Sequence, residues 1–91
     1  MAFLGAEGVT GELRAAGRLV ARLDQWTVNV EGGVWRVRAG LAEVQPVWLT
    51  AGGAYDVTLH RGRSVWRWRR VPLTVAEPTM MVLETTQQPE A

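Results

Sequence analysis

The chain has 91 residues, 47% of them hydrophobic, with five Trp, no Cys and a formal net charge of +1 from ten basic and nine acidic residues. That length allows one small domain with a dense core, because a chain of this size buries only about 60–65% of its unfolded surface. The near-neutral balance gives no long-range field to draw nucleic acid or an anionic membrane, and the missing thiols exclude disulfides, thiol catalysis and cysteine metal sites.

The N-terminal MAFLGAEGVTGELR has neither a basic leader region nor an apolar run of signal-peptide length. No stretch approaches the roughly 18 apolar residues of a membrane-spanning helix. The expectation is a soluble intracellular product: a single β domain over 1–84, with an N-terminal arm over 1–10 and a polar tail, TTQQPEA, over 85–91.

Glycines recur along the chain, and the segments between them are short and rich in Val, Leu, Thr and Trp. This predicts an all-β fold, a small antiparallel barrel or sandwich built from hairpins, with at most one short helix. Residues 12–25, ELRAAGRLVARLDQ, fit either a helix or a hairpin turning at Ala16-Gly17. The mid-segment glycine costs a helix about 1 kcal/mol relative to Ala and favours the hairpin.

Residues 26–39, WTVNVEGGVWRVRA, carry the strongest local signal. Gly32-Gly33 can supply positive φ at both centres of a two-residue turn. Folding there pairs Val30 with Trp35, Val28 with Val37 and Trp26 with Ala39 on one face. Asn29 with Arg36 and Thr27 with Arg38 fall on the other. One register sorts every side chain by polarity, which a wrong register does not do.

LAEVQPVWLT, 41–50, reads as a strand interrupted at Pro46 or as a short helix. A second hairpin follows in YDVTLHRGRSVWRWRR, 55–70. With Arg61-Gly62-Arg63-Ser64 as its loop, Leu59 pairs with Trp66 and Val57 with Trp68 on a dry face. Thr58 pairs with Arg67 and Asp56 with Arg69 on a wet one. Arg70 breaks the alternation by falling on the Trp side. The likeness of VWRVR to VWRWR suits either an internal repeat or independent hairpin patterning. Pro72 and Pro78 bracket a short strand, LTVAE, and TMMVLE (79–84) predicts the last strand.

Base stacking needs aromatics and cations on one exposed face. Strand alternation instead separates Trp66 and Trp68 from Arg67 and Arg69, so SVWRWRRV reads as core tryptophan with solvated arginine. Asp56, His60 and Ser64, the last two being the sole His and Ser of the chain, invite a triad. Asp56 and His60 are four residues apart on one strand, about 13 Å, too far for the successive contacts a triad requires. One His, no Cys, no DxDxDG-like loop and no GxxxxGK or GxGxxG leave no motif for a catalytic residue, metal or cofactor.

GELRAAGRLVARLDQWTVNV, through Gly17, Arg18, Val20, Ala21 and Trp26, resembles the opening of bacteriophage tail-tube proteins and kindred small all-β virion proteins. The resemblance covers about 20 residues. The chain is short for a tube protein, which favours a smaller relative of capsid decoration, head–tail or baseplate type. The resemblance implies a non-enzymatic structural subunit, located in the virion and made in the host cytoplasm, whose partners are copies of itself and other virion proteins. Candidate assembly contacts are Phe3, Leu4, Met80 and Met81. The alternative is a small OB-like single-stranded nucleic-acid binder using Arg36, Arg38, Arg67 and Arg69.

Overall fold

The computed structural model describes residues 4–44 and 49–90. Seven strands appear: β1 (Leu4–Gly8), β2 (Thr10–Ala15), β3 (Arg18–Glu31), β4 (Val34–Val44), β5 (Ala54–Arg61), β6 (Ser64–Ala76) and β7 (Met80–Thr85), with no helix among the described residues. Every pairing is antiparallel. Six strands close in the order β3-β2-β5-β6-β7-β4, and β4 returns to β3. The fold is all-β and antiparallel, as the glycine spacing and hairpin signals predict, and of the barrel and the sandwich it is the barrel.

The barrel consists of two three-stranded meanders, β2-β3-β4 and β5-β6-β7, joined along two seams, β2–β5 and β4–β7. β3 is long enough to carry more than one neighbour on one edge. β4 lies along one side, while β2 takes residues 18–23 and β1 residues 26–30 of the other. β1 is therefore an added strand outside the ring.

Turn chemistry sets the hairpins. The β2–β3 turn is Ala16-Gly17, with φ of 51° and 79°, and the β3–β4 turn is Gly32-Gly33, with φ of 59° and 79°. Positive φ at both central residues matches the right-handed twist of the flanking strands. Residues 12–25 are thus the hairpin, not the helix. All five side-chain pairs expected for the 26–39 hairpin are present, from Trp26 opposite Ala39 to Val30 opposite Trp35.

In the second hairpin Leu59 opposes Trp66, Thr58 opposes Arg67 and Val57 opposes Trp68. The expected pairing of Asp56 with Arg69 is not formed. The ladder shifts after Val57, so that Tyr55 opposes Val71. Arg70 takes φ of 52° and donates its backbone N–H to Asp56 Oδ1 at 2.9 Å. This bulge re-phases the strand, holding Arg70 outside and returning Val71 to the core.

Pro72 does not bound a separate strand, because β6 runs through it to Ala76. Leu73 makes the exchange with the neighbouring segment, bonding Gly52 and Gly53. Pro72 directs its missing N–H the other way, beside the last β6–β7 rung at Leu73 and Leu83. β7 occupies the expected 79–84 region, whereas Pro46 lies outside the described residues. VWRVR lies in the closing strand of the first meander and VWRWR in the middle strand of the second, so the two stretches hold non-equivalent places.

The interior is packed by Leu13, Trp26, Val37, Val57, Leu59, Trp68, Met81 and Leu83, each 1% exposed or less. Trp26 meets Trp66 edge-on at 5.6 Å, and Trp35 meets Trp68 at 6.0 Å; such pairs contribute about 0.5–1.5 kcal/mol each beyond their burial. Trp26 Nε1 donates to Thr10 O at 2.8 Å and Trp68 Nε1 to Gln87 O at 3.0 Å. No buried side-chain nitrogen or oxygen among the described residues lacks a partner. The C-terminal segment is part of this structure: Arg67 and Glu90 exchange backbone hydrogen bonds at 3.0 and 2.7 Å.

Candidate functional site

The arginines named from the sequence do lie on the outer surface, but they do not form one field. Arg36 and Arg38 project from β4, with Asn29 and Thr27 on one side and Glu84 and Val82 on the other. Arg67 and Arg69 project from β6, across the intervening β7. There Glu90 pairs with the Arg67 backbone and its carboxylate meets Arg69 Nε at 3.0 Å. Acidic Glu84 and Glu90 therefore stand within or beside each pair, diluting the positive potential that tracks phosphates.

Asp56, His60 and Ser64 do not converge. Asp56 caps the Arg70 amide, His60 opposes Val65 and Thr10, and Ser64 is exposed at the head of β6 opposite Arg61. Of the four candidate assembly contacts, Phe3 lies outside the described residues and Leu4 heads β1 opposite Val30. Met80 is half-buried opposite Gly40, whereas Met81 is wholly buried and has no surface to offer a partner. The inward-facing phase of β7 at Ala39 and Ala76 puts Met81 inside.

Among the described residues β1 is the strand that has a neighbouring strand along one edge only. Its five residues pair with β3 alone, from Leu4–Val30 to Gly8–Trp26. The strand that would cover its other side, β5, ends at Arg61, one residue past the Thr10–His60 rung. The chain then reverses at Gly62, whose φ is 58°. β5 thus runs out where β1 begins, and among the described residues the outer edge of β1 has no partner strand. Alternate N–H and C=O groups of such an edge point outward, ready to pair.

Side chains around this edge make two shallow clefts. One, of about 720 Å³, is bordered by Glu7, Gly8, Val9, Arg38, Arg61 and Met80 among others. The other, of about 420 Å³, is bordered by Gly5, Ala6, Glu7, Thr27, Asn29 and Arg61. Val9, at the break between β1 and β2, is 71% exposed. Sequence reasoning missed Gly5, Glu7 and Arg61 as a group, since only the register of β5 against β2 brings Arg61 beside β1. The one local signal was GAEG, three small residues around a single glutamate, with no Pro to guard an edge.

Comparison with protein-family models, with curated proteins and with solved structures finds no match to any of them. No helix among the described residues is long and apolar enough to cross a membrane.

Proposed function

We propose that this chain is a non-enzymatic structural subunit of a bacteriophage particle, of capsid decoration, tail or head–tail accessory type, working through protein–protein assembly. The open edge of β1 is the observation that carries the assembly part of this reading. The barrel interior is filled by side chains, and among the described residues the strand outside the ring has one edge with no partner strand. Strand addition gives affinity from main-chain hydrogen bonds without a preformed pocket. The virion part rests on the resemblance of the Gly17–Trp26 stretch. In this reading the protein is made in the host cytoplasm, resides in the virion, and has itself and other virion proteins as partners.

The test is incorporation. Phe3→Ser with Leu4→Ser keeps the β-sheet circular dichroism of the parent and is lost from purified particles, as read by mass spectrometry. Normal incorporation of that variant overturns the proposal. The nucleic-acid alternative receives less support from the divided arginine faces. An electrostatic binder loses affinity steeply as salt rises, so salt-sensitive binding to single-stranded oligonucleotides would restore that alternative.

A further inference from the structure

We infer that the open edge of β1 pairs with β1 of a second copy of this chain, antiparallel, about a two-fold axis at Ala6. The inference rests on the assembly reading for its use in the particle, but its geometry stands separately. Among the described residues no strand pairs with the outer edge of β1 over Leu4–Gly8, because β5 ends at Arg61. The edge carries no Pro and no bulge, and Glu7 is its one charged side chain. A second copy offers the same edge, as an isologous contact requires.

Charge selects the register. Centring the axis on Ala6 sets Gly5 opposite Glu7 of the other copy and Leu4 opposite its Gly8. Each Glu7 then lies diagonal to its symmetry mate rather than directly opposite it, where like charges would weaken the pair most. Gly5 and Glu7 share the outward face, since they oppose Asn29 and Thr27. The incoming Glu7 therefore enters the cleft of about 420 Å³ bordered by Gly5, the resident Glu7 and Arg61, in which Arg61 is the one basic side chain. The Arg61 guanidinium stands there as the complementary charge, and Gly5 leaves room for the carboxylate.

Such an interface is small, below the size of stable complexes. The expected affinity is weak, a Kd on the order of 100 μM, strengthened in a particle where many copies are tethered. The experiment is sedimentation equilibrium of the full chain up to about 1 mM, with amide exchange read along residues 4–8. A monomer–dimer equilibrium is expected, with β1 amides slowing in exchange as concentration rises. Gly5→Glu, facing Glu7 twice per dimer, raises the Kd about three- to tenfold. Gly5→Arg lowers it, and Gly5→Glu with Glu7→Gln returns it near the parent value. Circular dichroism confirms that each variant is folded.

A chain that stays monomeric at 1 mM with unchanged β1 exchange overturns the inference, and leaves the assembly reading to the incorporation test. A dimer indifferent to the Gly5 series overturns it too, placing the contact elsewhere on the barrel.

Discussion

The indole of Trp26 and the backbone of Gly8 share one rung of the β1–β3 ladder, and a Cβ on Gly8 would come within 2.6 Å of Trp26 Cε2. Glycine here is a packing requirement. Its missing side chain lets β1 lie against a tryptophan that is 1% exposed and anchored through Nε1 to Thr10 O. Gly8→Ala must push the ring or lift the strand, at a cost of about 2 kcal/mol. For a domain of this size that lowers Tm by roughly 8–16 °C. Thermal unfolding followed by tryptophan fluorescence checks it, and an unchanged Tm contradicts the packing argument.

Ala16 offers the opposite case. It adopts φ of 51° at the first centre of the β2–β3 turn and is exposed, so its Cβ is strained without packing against anything buried. Ala16→Gly relieves that strain and adds some unfolded-state entropy, for a net stabilisation of about 0.5–1 kcal/mol. Urea unfolding should show a higher midpoint at constant slope. Substituting Ala at Gly17, where φ is 79°, should lower the midpoint instead.

The β6 bulge depends on one hydrogen bond. Asp56 Oδ1 accepts from the N–H of Arg70, which sits at φ of 52°. Asp56→Ala removes the acceptor and should cost about 1 kcal/mol. Arg70→Gly relaxes the backbone and should recover part of that loss in the double variant. Because the two residues share one contact, the double-variant cycle should be non-additive. Additive effects would show that the cap and the bulge are independent.

Glu90 makes both a backbone pair and an ion pair, and these differ in weight. The Arg69 and Glu90 side chains are 63% and 51% exposed, so Glu90→Gln should change stability by less than about 1 kcal/mol. Ending the chain at Thr85 also removes the Arg67–Glu90 backbone exchange and the Gln87 carbonyl that accepts from Trp68. Loss of three hydrogen bonds, one of them to a buried indole, should cost about 2–4 kcal/mol and red-shift the tryptophan emission. Equal effects of the two changes would refute the distinction.

Local features of this fold were readable before the structure because their causes are local. Gly32-Gly33 dictates a turn, and the register of 26–39 follows from matching apolar faces across it. Alternation alone placed Trp68 inside and Arg67 outside. What escaped was non-local or subtle. Nothing near Thr10 says that it opposes His60, so neither the β2–β5 seam nor the bare edge of β1 could be located. Arg70 broke the alternation in plain view, but a bulge reading needed Asp56 at its amide. Pro72 looked like a boundary because a proline usually ends a ladder. It is tolerated mid-strand where its missing N–H meets the end of the β6–β7 pairing. The composition of 85–91 reads as a tail, although backbone groups rather than side chains carry most of its attachment.

The division into two meanders has a consequence for how the molecule can be built. Each meander is made of neighbours in sequence and can form by short-range zipping, whereas both seams join residues far apart along the chain. Closure is then the slow step, since distant segments must lose loop entropy before any rung rewards them. The same connectivity makes the protein naturally divisible. A backbone nick between Val44 and Ala54 leaves two finished ribbons with matching edges, so separately produced halves should find each other and restore the ring.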